Sequence, residues 1–276
     1  MPKYEFTPVQ RLITVEAVVT AFDTVHPKGF YFAGEMHDFW EAVLVCQGSA
    51  TATGDERVYQ LSAGQLLFHK PMEFHRIWAP EDSEHRVIII SFRALGPGMD
   101  HFAETYFQLD EERQRAFGRI ADAIQETVRA CREKREEYPL LSSTAAVLLE
   151  SFLLSLTEKT ACAPEMLSKE ERYYRRIVNC MSEHCCENLS VGELAFLCGM
   201  SVSNLKRVFA LFSDRGVAKY FLSMKMRRAM ELLEEGRRPC QVARLLGFEE
   251  PAYFHAVFKR ETGMTPGEYR KGRRAG

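Results

Sequence analysis

The feature that most constrains this chain is a segment near its C-terminal end, GFEEPAYFHAVFKRETGMTPGEYR, at residues 247–270. Glycine favours the left-handed backbone that ends a helix, and proline favours the first turn of one. Gly247 therefore predicts the end of a short helix. A second helix is expected to begin near Pro251 and to end at Gly263, and Pro266 is expected to begin a third. The residues expected to face inward along the first two helices are Val242, Ala243, Leu246, Tyr253, Phe254, Val257 and Phe258. Two short helices joined by a turn form a helix-turn-helix, whose second helix can lie in the major groove of DNA.

The same pattern occurs earlier in the chain. Ser190 and Glu193 have the spacing of a capping box, which predicts the start of a helix, and Ser201 can cap the helix that follows. Residues 217–236 lie between the two copies and are long enough for one connecting helix. The second copy has one extra residue in its turn. A solenoid needs at least about three repeats, so two copies favour a tandem helix-turn-helix module.

Residues 247–270 closely resemble the C-terminal signature of the AraC/XylS family of transcription regulators. The resemblance is specific because the apolar pattern, two glycines, Pro266 and Tyr269 fall in one register. It implies that the partner is promoter or operator DNA, and RNA polymerase as well if the protein is an activator. It also favours a homodimer.

The resemblance assigns roles to the outward side chains of the two recognition helices. The base-contacting candidates are Ser203, Lys206 and Arg207 in the first helix and Ala252 and His255 in the second. Arg207 suits bidentate recognition of guanine, whereas Ala256 stands where the family commonly has an outward arginine. The candidates for backbone contact are Ser190, Ser201, Lys225, Arg227, Arg228, Lys259 and Arg260. Solvated surface is the alternative for each basic residue in that set.

The charge distribution is consistent with a nucleic-acid partner. From Ser168 onward there are 20 Lys and Arg against 13 Asp and Glu, a net charge of +7, and the preceding residues have −9. Such asymmetry favours DNA binding by the basic part. The first ten residues do not contain the apolar stretch of a signal peptide, and no apolar run approaches the roughly 18 residues of a membrane span, so we expect neither feature. The eight cysteines show no metal-binding spacing, so we expect a cytoplasmic protein with reduced thiols.

The N-terminal part has the short apolar runs of β-strands. The runs lie at residues 12–22, 41–53, 57–61, 65–70 and 85–92. Asp55 and Gly64 mark tight turns between them. Many short strands in about ninety residues favour a small barrel or jelly roll. The expected fold class is therefore α+β with two domains, a β-barrel first and an all-α domain last.

This part also resembles the cupin pattern and the sensing domain of many AraC-like regulators. The matching residues are Gly34, His37, Glu41, Gly48, Gly64, Pro71 and His75. The resemblance implies a small-molecule effector, and the candidate pocket residues are His37, Phe39, Trp40, Glu41, His75 and Trp78. The aromatic members could equally belong to the core.

The alternative function is a metal-dependent cupin enzyme. His37, Glu41 and His75 are residue types that bind divalent metals. However, Glu35 stands in place of the first cupin histidine and Glu73 in place of a glycine. An enzyme would also leave the DNA-binding module without a purpose. We therefore expect no metal, no cofactor and no catalysis.

Helical periodicity follows the predicted barrel. Phe117, Ile120, Ile124 and Val128 share one face of the first helix, and Leu141, Ala145, Leu148 and Phe152 share one face of the second. The expected organisation is a sensing domain at 1–95, a helical dimerisation segment at 96–160, a linker at 161–169 and the DNA-binding domain at 170–276.

Overall fold

The structure is a computed structural model, and it describes residues 7–79, 84–103, 105–158 and 168–272. The chain divides into two compact units, residues 1–166 and 167–276. Most of the predicted linker lies outside the described residues.

The first unit contains two antiparallel sheets. Its strands are β1 (Thr14–His26), β2 (Trp40–Gln47), β3 (Ser49–Gly54), β4 (Arg57–Ser62), β5 (Gln65–His69), β6 (His75–Trp78), β7 (His85–Leu95) and β8 (Tyr106–Gln108). The five-stranded sheet has the order β1-β7-β2-β5-β8, and the three-stranded sheet has the order β4-β3-β6. The strands of the described residues form two separate sheets, so the predicted cupin-like β-barrel is not closed. The fold is an open sandwich.

Several strand boundaries differ from the predictions. The run predicted at 41–53 is two strands, because Gly48 adopts a left-handed φ of 73° between β2 and β3. Strand β6 was missed since four residues are too few to show alternation, and β8 was missed for the same reason. Asp55 and Gly64 have φ values of 47° and 84°, which confirms both turns.

Each face of the larger sheet is covered. One face packs on helices through residues such as Ala42, Leu44 and Phe92. The opposite face packs on the smaller sheet, with Val43 and Val45 against residues such as Ile77. Side chains alternate along a strand, so β2 supplies both cores and is buried nearly throughout.

Two helices form the helical layer of this unit, α1 (Glu111–Arg132) and α2 (Tyr138–Thr157). Asp110 caps α1 by accepting from the backbone N–H of Arg113. The predicted inward face of α1 is confirmed. In α2 the buried residues are Ala145, Leu149, Phe152, Leu153 and Leu156. Ala145 and Phe152 are buried as predicted and Leu141 is half-buried, but Leu148 is 42% exposed because Leu149 takes the buried position in that turn.

Among the described residues α2 alone is a single helix long and apolar enough to cross a membrane. The prediction that no segment reaches this length is therefore wrong for residues 138–157. One face of this helix packs against α1 and β1. The helices at residues 191–197 and 202–212 are long and apolar enough only if they are counted as one span, and the two helices meet at a bend of 92°.

The second unit is all-helical. Its helices are α3 (Lys169–Glu183), α4 (Val191–Leu197), α5 (Val202–Phe212), α6 (Val217–Glu234), α7 (Pro239–Leu245), α8 (Pro251–Thr262) and α9 (Pro266–Gly272). Helices α4 and α5 form the first helix-turn-helix and α7 and α8 the second, with α6 between them. The turn spans residues 198–201 in the first and 246–250 in the second, which confirms the extra residue.

Local signals explain most of these boundaries. Gly199, Gly247 and Gly263 all have positive φ after their helices, as the sequence predicts. Ser190 and Ser201 each accept a backbone N–H at the start of a helix. Helix α3 was not predicted, although Ser168 and Glu171 form a capping box at its start. Tyr253 was predicted to face inward, but it is 58% exposed.

Candidate nucleic-acid interface and ligand site

The first recognition helix, α5, has one buried and one exposed face. Leu205, Val208 and Phe209 are fully or almost fully buried, and Phe209 packs against Tyr174 of α3 with 5.6 Å between ring centroids. Ser203, Lys206 and Arg207 are all exposed. The Arg207 guanidinium donates to the Asn204 side chain at 3.2 Å, which orients it along the helix. The three predicted base-contacting residues therefore share one accessible surface.

The second recognition helix, α8, has the same organisation. Phe254, Val257 and Phe258 are buried, while Ala252, His255, Ala256, Lys259 and Arg260 are exposed. The ring of Phe258 meets Tyr269 at 5.7 Å, and the equivalent pair in the first copy, Phe209 and Tyr220, meets at 5.1 Å. The repeated aromatic pair fixes α8 and α5 in equivalent positions, so each copy presents its second helix outward.

Lys225 is not available for a phosphate contact, and that prediction is wrong. The residue is 5% exposed, and its ammonium group donates to the carbonyl oxygen of Leu246 at 2.9 Å. Burial lowers the pKa of this amine. Helical periodicity could not show this, because the helix that buries Lys225 is distant in the sequence.

The other predicted backbone residues lie at or near the surface. Ser190, Ser201 and Lys259 are exposed, and Arg227 is half-buried. Arg228 forms ion pairs with Glu231 at 2.7 Å and Glu235 at 3.7 Å, and Arg260 pairs with Glu261 at 3.0 Å. Those arginines would have to leave their carboxylates to contact DNA.

A second candidate site lies at the mouth of the sandwich. We call it the mouth cluster, and its members are Glu35, His37, Glu41 and His75. One ligand atom from each lies within 4.8 Å of the others. Gly34 makes this possible: it has a φ of 91°, and a Cβ there would lie 2.8 Å from the carbonyl oxygen of His75. Glu35 therefore pairs through its backbone with His75, at 2.9 and 3.0 Å.

The charged members of the cluster influence each other. Burial alone would raise the pKa of Glu41, but the nearby His37 and His75 rings outweigh it, and the pKa of this carboxyl lies below its usual range. Burial alone would lower the pKa of His75, but Glu41 outweighs it and raises that pKa. Both shifts show that the cluster favours a carboxylate beside a positive charge.

The predicted pocket residues do not all meet at the mouth. His37 stacks on Phe39 with 3.7 Å between ring centroids. Trp40 is next to Glu41 on β2 and therefore points to the opposite face, where it belongs to the helix-side core. Trp78 is three residues beyond His75 on β6 and also faces away, beside the Arg76 guanidinium at 4.4 Å. Placing both tryptophans beside the histidines was wrong.

Three residues outside the predicted pocket belong to the site or lie behind it. Glu35, which takes the place of the first cupin histidine and can still bind a metal through its carboxylate, faces His75 at 4.0 Å. His69 and Glu73 lie behind the cluster, joined at 2.7 Å, with the His69 ring stacked on His75 at 4.3 Å. The spacing of four residues between His69 and Glu73 was a usable signal. The donor set of two imidazoles and two carboxylates fits the divalent metal that the cupin resemblance implies.

Several known proteins are similar to this chain over most of its length. The HTH-type transcriptional activator RhaR of Enterobacter sp. (strain 638) is 23% identical over 263 residues, covering 87% of each chain. The RhaR protein of Salmonella typhi is 23% identical over 272 residues with the same coverage. Among solved structures, ToxT from Vibrio cholerae is 11% identical, covers 92% of this chain and 100% of its own, and has a TM-score of 0.38.

A shorter solved structure is similar to part of the chain. An AraC-type transcriptional regulator from Chromobacterium violaceum is 26% identical, covers 37% of this chain and 93% of its own, and has a TM-score of 0.36. The model of the AraC-like ligand binding domain matches residues 21–147, and the model of a helix-turn-helix domain matches residues 194–272. With a ligand-binding domain followed by two helix-turn-helix copies, the chain belongs to the AraC family of transcription regulators.

Proposed function

We propose that α5 and α8 enter the major groove of promoter or operator DNA and that α5 makes the main base-specific contacts. The supporting observation is the exposed set Ser203, Lys206 and Arg207 on a helix whose other face is locked into the core. An Arg side chain can donate two hydrogen bonds to the O6 and N7 atoms of guanine. Lys206 recognises guanine or a phosphate.

Helix α8 contributes less base recognition. Ala252 can contact a thymine methyl group and His255 can donate or accept one hydrogen bond, but Ala256 offers no polar group. Lys259 and Arg260 lie on the exposed face further along the helix and contact the phosphate backbone. This copy therefore holds the protein on DNA more than it selects the sequence.

The remaining backbone contacts come from helix starts and from α6. Ser190 and Ser201 lie at helix N-termini, where the helix dipole and free backbone N–H groups favour a phosphate. Arg227 and Arg228 are the α6 candidates.

The first unit binds a small-molecule effector and forms a homodimer. Leu140, Val147 and Leu154 of α2 are 70%, 63% and 40% exposed and recur every seven residues. Such a heptad stripe is typical of a contact between two helices. Sedimentation tests this: Val147→Glu should give monomers, and an unchanged dimer would exclude α2 as the interface.

These roles describe a cytoplasmic regulator without catalytic activity. Relatives named transcriptional activators support RNA polymerase as a further partner. The alternative of a metal-dependent cupin enzyme has no support from the similar proteins.

The experiment is a gel shift and anisotropy titration of residues 168–276 on the promoter region of the protein's own gene. We expect binding that is stronger for the promoter than for scrambled duplex and that falls steeply with salt, because phosphate contacts release counterions. The matched control is the fragment with Lys206→Ala and Arg207→Ala, which keeps the buried face of α5. A folded wild-type fragment that binds neither duplex at low salt would refute the proposal.

A further inference from the structure

The mouth cluster consists almost entirely of hydrogen-bond acceptors that point at one another. His75 Nε2 lies 3.4 Å from one oxygen of Glu41, and His37 Nε2 lies 3.7 Å from the other. The Glu35 carboxylate approaches the same His75 nitrogen at 4.0 Å. Both Nε2 atoms are buried and have no hydrogen-bond partner.

Hydrogen bonds on the far side of each ring determine where the lone pairs point. Nδ1 of His37 lies 3.0 Å from the carbonyl oxygen of Phe39, and Nδ1 of His75 lies 3.0 Å from that of Glu73. A carbonyl oxygen can only accept, so each Nδ1 bears the proton and donates it. In a neutral imidazole the Nε2 lone pair is then directed into the cluster. Carbonyl oxygens that accept from the other ring nitrogen orient metal-ligating histidines in the same way.

Two carboxylates and two imidazole lone pairs in so small a space favour a cation between them. Ser91 donates to Glu41 at 3.2 Å, but a hydroxyl supplies no charge. The sequence led us to expect no metal, but from this geometry we propose that the mouth cluster binds one first-row divalent transition-metal ion, such as Zn²⁺ or Mn²⁺.

The distances suit such an ion. Metal–ligand bonds of about 2.1 Å in a tetrahedral site separate neighbouring ligand atoms by about 3.4 Å. The separations of 3.4, 3.7 and 4.0 Å, and the widest one of up to 4.8 Å, need side-chain movements of about 1.4 Å or less to reach that value. Imidazole nitrogens favour transition metals over Mg²⁺ and Ca²⁺, which prefer oxygen ligands alone.

The ion would join three separate parts of the first unit. Glu35 and His37 precede β2, Glu41 is in β2, and His75 begins β6 of the smaller sheet. Metal binding therefore closes the mouth between the two sheets. This inference deepens the proposed ligand-binding role of the first unit, but it does not depend on DNA binding by residues 168–276.

The test is calorimetric titration of EDTA-treated, desalted full-length protein with ZnCl₂, MnCl₂ and NiCl₂, with MgCl₂ and CaCl₂ for comparison. We expect one equivalent of transition metal per chain. At a concentration about 100-fold above Kd, the melting temperature of the first unit should rise by roughly 5–10 °C. Trp40 and Trp78 are the two tryptophans of the chain, so their emission reports on this unit alone.

Two variants connect any binding to the mouth cluster. Glu41→Gln and His37→Gln should each weaken binding at least about tenfold. The matched control is His184→Gln, because His184 also faces a glutamate, Glu187 at 2.8 Å, but lies on the second unit. It should keep the wild-type stoichiometry. Circular dichroism of the metal-free variants checks that they are folded, and His37, a partly exposed residue before β2, is the safer substitution if Glu41→Gln is unstable.

Two results would overturn the proposal. The first is that full-length wild-type protein binds no transition metal although its residues 168–276 still bind DNA. A proton would then supply the positive charge of the cluster. The other is binding of one equivalent that His184→Gln abolishes and the mouth variants do not change. Loss of DNA binding alone would refute the proposed function and not the metal site.

Discussion

The ammonium group of Lys225 lies 2.9 Å from the carbonyl oxygen of Leu246, so the side chain of α6 caps the C-terminal end of α7. The rings of Phe221 and Phe248 lie 5.3 and 5.5 Å from the same nitrogen. The lysine thereby satisfies a carbonyl that no later turn of α7 can satisfy, and it connects the long helix to the second helix-turn-helix.

We therefore expect Lys225→Met to destabilise the helical unit by roughly 1–3 kcal/mol, because the Leu246 carbonyl loses its buried donor. Lys219→Met is the matched control on the exposed face of α6 and should change stability by less than about 0.5 kcal/mol. Urea unfolding of residues 168–276 followed by circular dichroism measures both. The salt dependence of DNA binding should be the same for Lys225→Met and wild type. A shallower slope would place Lys225 on DNA after all.

The helix-turn-helix copies were predictable because their signals are local. A glycine such as Gly247 ends a helix through its own backbone, and Ser190 caps one through a residue three positions away. The role of Lys225 was not predictable, since its partner lies 21 residues further along the chain. A basic residue in a basic helix looks the same whether it contacts phosphate or a buried carbonyl.

The mouth cluster shows the same limit. His37 and Glu41 could be paired from their spacing, but the backbone bridge between Glu35 and His75 connects residues that are 40 positions apart in the sequence. Leu148 was placed on the wrong side of α2 because the helix is apolar on more than one side, so more than one stripe fits its sequence. Where one face alone is apolar, as in α1, the predicted face was confirmed.

Arg207 provides the clearest test of base recognition. Arg207→Ala should cost roughly 1–3 kcal/mol on the true operator and relax the preference at one base pair. His255→Ala should cost less specificity, because α8 has Ala256 beside it in place of a stronger hydrogen-bonding partner. Anisotropy titrations on operator and scrambled duplexes at two salt concentrations compare them. If His255→Ala relaxes specificity more than Arg207→Ala, the roles of the two helices are reversed.

Arg260 should behave as a backbone contact. Arg260→Ala should weaken operator and random duplex about equally and make the salt slope shallower by about one. The guanidinium must first leave Glu261, which lies 3.0 Å away. Glu261→Gln is therefore the complementary variant, and it should strengthen binding to both duplexes. An Arg260→Ala effect confined to the operator would instead make Arg260 a base-reading residue.

The pH dependence of the first unit should depend on two histidines at the end of the sheet away from the mouth cluster. His26 Nδ1 lies 3.1 Å from His85 Nε2, and one ring must donate while the other accepts. Burial, and then the charge of His26, lowers the pKa of His85 to about 4, and burial also lowers the pKa of His26. If both rings became positively charged, each would have an N–H at this contact, and the two donors would face each other.

The unfolded chain binds the proton near pH 6.5, whereas folded His85 does so only near pH 4. The stability that this histidine contributes is therefore fully present above about pH 6.5 and decreases as the pH falls towards 4, by at most about 1.4 kcal/mol per pH unit.

His85→Gln keeps a hydrogen-bonding side chain that does not titrate, so its stability should fall less over this range than that of wild type. Urea unfolding at pH 7.5, 6.5, 5.5 and 4.5, followed by emission of Trp40 and Trp78, measures the difference, with His184→Gln in the second unit as the control. Equal pH slopes in wild type and His85→Gln would show that the histidine pair does not set the acid stability of this unit.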